Sequence, residues 1–293
     1  MHMAPPGCDD CVVLLARHGG DVNRADNQGR RPLHYYLKQE RMTACLLSLG
    51  ADPNAGGAPA SPYAIALSVP LVSSHPTVIA LLLRGGADIN APAINGERLL
   101  HVAARTGQSA LFRAAIETAD ITLCDQAGNT VLHALMELPQ PDHIKMILTR
   151  DPAMASRRNK DGYTPMELLV TAFVAAPAHG ADTHVNTLGV IARQFLVAGA
   201  DPSAAGHGGT TLLHEAVARN RVDLIDALAR HGADLDRKDR RGTAALQLAV
   251  DMRRIDLVDR LLDHGADPDL IDDRGWTLLD RLAERGVDQV FVT

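Results

Sequence analysis

One short motif recurs along this chain at a spacing close to 33 residues. Its fullest copy is Gly-Thr-Thr-Leu-Leu-His at residues 209–214. The position of that histidine is taken in successive copies by His34, Ala64, His101, His133, Glu167, His214, Gln247 and Asp280. The steps between these positions are 30, 37, 32, 34, 47, 33 and 33 residues. Self-similarity at this period is typical of a solenoid, in which small units that cannot bury their apolar faces alone are stacked.

A second motif, Gly-Ala-Asp, recurs in register with the first. Its copies lie at residues 50–52, 86–88, 199–201, 232–234 and 265–267. Together the two motifs resemble the ankyrin repeat, a helix-turn-helix unit whose neighbours stack through short hairpin turns. The resemblance implies an all-α, ankyrin-repeat solenoid that is helical apart from its turns.

The local chemistry of each unit agrees with that fold. Thr211 stands where a helix N-cap belongs, because its hydroxyl can accept a hydrogen bond from a free backbone N–H. Pro32, Pro62 and Pro165 follow the equivalent position, and proline is well tolerated as the first residue of a helix. Gly232 follows the second amphipathic segment, where a left-handed residue commonly ends a helix.

We expect one domain spanning residues 1–293, with a half unit at each end. The predicted half units are 8–23 and 272–293, and the predicted full units are about 24–56, 57–92, 93–124, 125–158, 159–205, 206–238 and 239–271. In the first half unit, Cys11, Val12, Leu14 and Leu15 are the expected apolar face of a second helix. Two explanations of the half units stay open: atypical caps, or excision of this stretch from a longer protein.

Two of the predicted units carry insertions. In 57–92 the two helices are separated by the segment 69–76, whose prolines Pro70 and Pro76 oppose helix continuation. In 159–205 there are 14 extra residues, which we expect to form a surface loop centred on 175–184. Since longer loops cost little free energy, neither insertion by itself indicates a function.

Composition excludes several classes of function. The formal net charge is −6, so no global basic charge points to nucleic acid or to a membrane surface. No apolar run is long enough to span a bilayer, and no signal peptide is recognisable at the start. Four cysteines, at positions 8, 11, 45 and 124, are too few for a disulfide framework and favour a reducing compartment. We expect a cytoplasmic protein, or one secreted into a host cell by a route without a visible signal.

Candidate catalytic and metal-binding residues are few. The resemblance implies a structural role for His34, His101, His133 and His214, each bonding backbone groups of the neighbouring turn. His179, Asp182 and His184 are close enough in sequence to share a metal, but an Ala- and Gly-rich loop offers no groups to orient them. Cys8 and Cys11 form a single C-x-x-C pair, whereas a structural zinc needs four ligands. We therefore expect no catalytic residue, no metal and no cofactor.

The resemblance instead implies a protein partner, bound on a concave face made by the hairpin tips and the exposed side of each first helix. The tips together sum to +3 on a chain of −6, so the rest carries −9. Either the tips are simply polar turns, or a basic rim favours a partner with an acidic face. The candidate partner-binding residues are exposed aromatics and the basic residues beside them: Arg30, Tyr35, Lys160, Tyr163, Arg240, Arg241, Arg274 and Trp276.

The predicted function is non-catalytic protein–protein interaction by a monomer. A composition rich in Ala, Arg and Gly and poor in Lys suggests a GC-rich, bacterial genome. Bacterial proteins that resemble this one include host-directed effectors and inhibitors that neutralise a toxin. The alternative is a substrate-recruiting ankyrin arm of a larger enzyme whose catalytic domain lies outside this chain.

Overall fold

All regular elements that the structure describes are helices. It is a computed structural model of the 293-residue chain, and it describes residues 10–57, 60–67, 75–175, 182–206, 208–272 and 275–284. The helices are α1 Asp10–Arg17, α2 Pro32–Tyr35, α3 Glu40–Ser48, α4 Pro62–Ala66, α5 Pro76–Arg84, α6 Leu99–Thr106, α7 Ser109–Ile116, α8 Val131–Leu135, α9 Pro141–Arg150, α10 Pro165–Ala175, α11 Asp182–Val197, α12 Leu212–Ala218, α13 Val222–Arg230, α14 Ala245–Asp251, α15 Ile255–Asp263 and α16 Leu278–Glu284. A 3-10 helix, Pro152–Ser156, follows α9. The all-α prediction is confirmed.

The chain forms two compact units. Unit 1 contains residues 1–138 together with 159–161, and unit 2 contains residues 139–158 together with 162–293. In each unit, helices of one repeat pack on each other and on the next repeat. In unit 1, α6 packs on α7 and α8, and in unit 2, α12 packs on α13 and α14. The single domain over 1–293 stays a prediction.

The predicted helix ends are confirmed. The Thr211 side chain caps α12 by accepting from the backbone N–H of His214. Pro32, Pro62 and Pro165 are the first residues of α2, α4 and α10. Gly232 has φ 82°, the left-handed conformation that a residue with a side chain adopts at a cost.

Small and aliphatic side chains fill the space between stacked helices. On α6, Val102, Ala103 and Ala104 are all fully buried. On α12, Ala216 and Val217 are likewise buried. Alanine lets helix backbones approach closely, which explains how a chain with 3% aromatic residues builds a continuous core.

The hairpin tips are joined by backbone hydrogen bonds. In unit 1 the N–H of Lys160 donates to the carbonyl of Ala127 at 3.0 Å. In unit 2 the N–H of Arg240 donates to the carbonyl of Gly208 at 3.1 Å. Where these bonds form, the position of the turn side chains follows from the stacking of the repeats.

The loop predicted over 175–184 was wrong at both of its ends. Helix α10 extends to Ala175, and α11 begins at Asp182. The remaining part of that segment, 176–181, lies outside the described residues. The insertion therefore lengthens helices: α11 has 16 residues and α10 has 11. The loop was inferred from the 14 extra residues, but the residues at both ends of the segment are helical. In the other insertion, α4 ends at Ala66 and α5 starts at Pro76, while residues 68–74 are not described.

The predicted apolar face of α1 was also wrong. Cys11 is exposed, and Leu14 and Leu15 are 53% and 68% exposed. Val13 is the buried residue of this helix, with Ala16 half-buried three residues later on the same face.

Cysteine chemistry differs from the sequence-based expectation of reduced thiols. Cys45 is fully buried and forms a disulfide bond. Cys11 and Cys124 are not disulfide-bonded, and Cys8 lies outside the described residues. The cysteine count therefore no longer supports a reducing compartment.

Candidate partner-binding surface

The turn of each hairpin tip is held by an aspartate, as the tip 237–243 illustrates. Asp239 accepts hydrogen bonds at Oδ1 from the backbone N–H groups of Arg241, at 2.8 Å, and Thr243, at 3.1 Å. The N–H of Asp239 in turn donates to the carbonyl of Thr243 at 3.0 Å. These bonds fix the turn and engage the carboxylate that lies nearest to it.

Arg240 and Arg241 are the exposed cations of that tip. The backbone of Arg240 is anchored to Gly208, yet the guanidinium groups of both arginines form no hydrogen bond or ion pair with the described residues. By contrast, Arg237 on the same tip donates from Nη1 to the carbonyl of Ser203 at 2.9 Å. Arg240 and Arg241 therefore offer charge to a partner from a rigid turn.

Arg30 and Tyr35 form a compact group in unit 1. The guanidinium carbon of Arg30 lies 4.8 Å from the centre of the Tyr35 ring, within cation–π range. The Tyr35 hydroxyl donates to Asp26 Oδ2, and this bond is the main reason that the pKa of Asp26 is lowered and that of Tyr35 is raised. Tyr35 remains 52% exposed. The ring is thus held in place while its face stays accessible.

The sequence did not predict that Asp26 bonds Arg30 and Tyr35. Asp26 accepts from the N–H of Arg30 at 2.9 Å as well as from Tyr35. The signal that could have identified it is its spacing: an acid at the turn start, four residues before Arg30 and nine before Tyr35.

Lys160 is more constrained than the sequence indicated. Its Nζ donates to the carbonyl of Gln126 at 2.6 Å, and its backbone N–H bonds Ala127. The side chain is exposed but lies across the neighbouring tip of unit 1. Reaching a partner would require this bond to break, so Lys160 is a weaker candidate than Arg240.

The two remaining aromatic candidates are half-buried. Trp276 is held in its turn, with its N–H donating to Asp272 Oδ1 at 3.0 Å and its carbonyl accepting from the N–H of Asp272 at 2.8 Å. Tyr163 is likewise only partly accessible, and Arg274 lies outside the described residues. Arg30, Tyr35 and Lys160 belong to unit 1, whereas Tyr163, Arg240, Arg241 and Trp276 belong to unit 2.

The recurring histidines have the structural role that the resemblance implied. Nε2 of His34, His101 and His214 lies 2.8–3.0 Å from a backbone carbonyl of the following repeat. Nδ1 of each accepts from the backbone N–H at the N-cap of its own helix. This pattern assigns the proton to Nε2. Burial lowers the pKa of His101, so the ring favours its neutral form.

A partly buried ion-pair group in unit 1 was not foreseen either. Glu97 is 3% exposed and pairs with Arg105, which also bonds Glu137 at 3.1 Å. Burial opposes the charge on Arg105, but the two carboxylates outweigh it and raise its pKa. The carboxylates come from different repeats, so sequence spacing alone does not reveal the contact.

Two searches of the described residues bear on other functions. No cluster of three or more His, Cys, Asp or Glu side chains capable of holding a metal is found there. Across the same residues, no helix has both the length and the apolar character needed to cross a membrane. The proposed ligands His179, Asp182 and His184 have side chains outside this description.

Comparison with known proteins gives one family. A family model described as "Ankyrin repeats (3 copies)" matches residues 184–272. The Ankyrin repeat and SOCS box protein 6 of Homo sapiens is 44% identical over 95 residues, covering 30% of this chain and 23% of that protein. The E3 ubiquitin-protein ligase KEG of Arabidopsis thaliana is 27% identical over 146 residues, covering 49% of this chain and 8% of that protein.

A solved structure supports the same conclusion for the fold. The ankyrin repeat domain of Bcl-3 superposes with a TM-score of 0.52 at 24% identity, covering 75% of this chain and 92% of that one. The chain spans less than half the length of the curated relatives that it matches. The repeats constitute a protein–protein interaction module, a fold class that is generally non-catalytic. By its repeated motifs, its stacked helix pairs and these similarities, the chain belongs to the ankyrin-repeat proteins.

Proposed function

We propose that this chain binds a protein partner with an acidic face through its hairpin tips, without catalysing a reaction. The observation that carries the proposal is the pair Arg240 and Arg241, exposed on a fixed turn and unpaired among the described residues. The chain as a whole has a charge of −6, so this local positive charge stands out against its background. Complementary charge raises the rate of association and excludes partners of the wrong sign.

The group of Arg30 and Tyr35 supports the same mode of binding in unit 1. A tyrosine whose hydroxyl is already bonded loses little conformational entropy when a partner covers its ring. Tyrosine and arginine are also the residue types that dominate interface energies. We infer that Tyr35 contributes contact area, while Arg30, stacked on it, contributes charge.

A comparison of captured proteins tests this function. The full chain, an Arg240→Glu/Arg241→Glu variant and an Arg41→Glu/Arg84→Glu control would be immobilised and exposed to extract of the source cells. The control changes the net charge equally, on exposed arginines of the second helices α3 and α5. We expect mass spectrometry to find a protein retained by the parent and the control but lost from the tip variant. Equal retention by all three would contradict the proposal.

We further propose that this binding is that of a bacterial effector or a toxin-neutralising inhibitor, because the composition suggests a bacterial source and bacterial proteins that resemble this one include both. A substrate-recruiting arm of a larger enzyme is the second candidate, favoured by the similarity to the ligase KEG, of which this chain covers only 8%. The reading frame that flanks the sequence separates these roles. An additional catalytic domain in frame would favour the recruiting arm, whereas stop codons on both sides would favour the free-standing module.

A further inference from the structure

A second candidate site lies in unit 2, on the helices that do not carry the hairpin tips. Helices α9 and α11, the second helices of their repeats, enclose a groove of about 500 Å³. This volume lies within the range of protein sites for small ligands or single large side chains. The lining residues that matter are Lys145, Leu148, Pro152, Val190, Gln194 and Val197.

The groove occurs where the sequence departs from the repeat. The Gly-Ala-Asp tail is missing after α9, and Asp151 begins a 3-10 turn instead by accepting from the N–H of Ala153 at 3.0 Å. This turn brings Pro152 into the lining. On the other side, α11 has 16 residues, whereas the second helices α9 and α13 have 10 and 9. Both departures bear on this groove; a second groove, of about 470 Å³, lies between α11 and α13.

One face of α11 presents apolar side chains to the groove and to water. Val190 and Val197 are 39% and 79% exposed. Gln194 lies between them, and spacings of four and three residues place all three on one stripe of the helix. Exposed apolar side chains that line a concavity commonly mark a binding site.

Two polar groups in the groove define what could fill it. The Gln194 side-chain oxygen is buried and accepts no hydrogen bond from the described residues. A buried acceptor without a donor costs free energy, which an N–H or O–H of a ligand would recover. The exposed ammonium of Lys145 has no ion-pair partner in the described part of the chain, whereas Arg193 is already paired with Asp223.

We propose that this groove binds an aromatic side chain with its own hydrogen-bond donor, tryptophan above all, from a protein segment that carries a carboxylate beside it. The ring packs against Leu148, Val190 and Val197, and its N–H donates to Gln194. The carboxylate faces Lys145. An aliphatic side chain or a lipid chain would fill the space but leave Gln194 unsatisfied.

N-acetyl-L-tryptophan is a small probe that combines the aromatic ring, the indole N–H and the carboxylate. It would be titrated into the full chain with Val and Leu methyl groups isotopically labelled, and followed by NMR. We expect saturable shifts of the Val190, Val197 and Leu148 methyl signals with millimolar affinity. N-acetyl-L-leucine lacks the indole ring and its N–H, and N-acetyl-L-tryptophanamide lacks the carboxylate, so both should bind more weakly. Equal affinity for all three probes, or no saturable shift, would overturn the proposal.

Variants test whether the probe binds in this groove. A Val190→Ser/Val197→Ser double change should raise its Kd at least about tenfold, which corresponds to about 1.4 kcal/mol. Lys145→Glu should weaken N-acetyl-L-tryptophan but not its amide. Ile94→Ser, at a 70% exposed position in unit 1, is the matched control and should bind like the parent. Since all four positions are at least partly exposed, circular dichroism should show an unchanged fold. Concentration-dependent dimerisation that the double change abolishes would assign the groove to a second copy and refute the proposal.

Discussion

At the scale of single residues, His214 shows how one side chain joins two repeats. Its Nδ1 accepts from the N–H of Thr211 in its own repeat, and its Nε2 donates to the carbonyl of Thr243 in the next at 2.8 Å. Both bonds are buried or partly buried, so each is more than a surface contact. The same arrangement at His34 and His101 makes this residue type a repeated tie between neighbours.

Removing that tie should cost stability. We expect His214→Ala to lower the free energy of unfolding by about 1–3 kcal/mol, because the buried N–H of Thr211 loses its acceptor and the carbonyl of Thr243 keeps only its bond from the N–H of Asp239. His231→Ala is the control, since His231 is exposed and its change should stay within about 0.5 kcal/mol. Urea unfolding followed by circular dichroism measures both. Equal midpoints for the two variants would show that the tie contributes nothing.

The pKa of His101 leads to a pH dependence. Burial lowers this pKa below its ordinary value of 6.5, so the unfolded chain takes up a proton at a higher pH than the folded chain does. The stabilising contribution of neutral His101 is therefore complete above about pH 6.5 and is lost as the pH falls below it. His101→Gln should remove this part of the slope, because Gln247 shows that an amide can take the same place, accepting from the N–H of Ala244. Urea midpoints between about pH 5 and 8 test this; parallel curves for parent and variant would contradict it.

At the scale of elements, neighbouring hairpin tips in unit 1 are in close contact. Gly128 has φ 76°, and a Cβ built on it would lie 2.9 Å from the backbone nitrogen of Lys160 on the next tip. Gly162 has φ 84° but no atom within 4 Å of such a Cβ. The two glycines share a left-handed backbone conformation and differ in the approach of a neighbour.

This difference gives a matched pair of variants. Gly162→Ala should lose about 1–2 kcal/mol from the left-handed conformation alone. Gly128→Ala should lose more, because the tip of Lys160 must also move. Thermal unfolding of the two variants gives the comparison. A Gly128→Ala variant as stable as Gly162→Ala would mean that the tips are not packed against each other as described.

The sequence predicted those features that depend on neighbours within a repeat. Thr211, Pro165 and Gly232 mark helix ends by local backbone chemistry, and all three were found in their predicted roles. The contacts between repeats could not be predicted from the sequence. The Asp26 bond to Tyr35, the pairing of Glu97 with Arg105 and the groove beside Val197 depend on which side chains the stacking brings together.

The misjudged segments have a physical explanation as well. Leu14 and Leu15 were expected to be buried because apolar residues usually are, but the buried stripe of α1 runs through Val13 and Ala16 and leaves both leucines on the exposed side. Asp182 was placed in a loop because extra residues between helices are commonly loops. Here the extra residues extend α11, which adds backbone hydrogen bonds.

At the scale of the whole molecule, stacking makes stability a sum of contacts between neighbours. Deletion of residues 239–293 should therefore leave the preceding repeats folded. Circular dichroism of the truncated chain should show the helical signal reduced in proportion to the helices removed, α14, α15 and α16. Loss of the entire helical signal at once would contradict this nearest-neighbour description.

The central claim is that a protein partner associates through the exposed arginines of the hairpin tips. Surface plasmon resonance with the captured partner, at ionic strengths of about 0.01 M and 0.15 M, tests it most directly, because the screening length falls from about 30 Å to about 8 Å. We expect Arg240→Glu/Arg241→Glu to slow association, most strongly at the lower salt, and Arg41→Glu/Arg84→Glu to have a much smaller effect. Association of the tip variant at the parent rate in both salts, with binding lost instead in the second-helix variant, would contradict it.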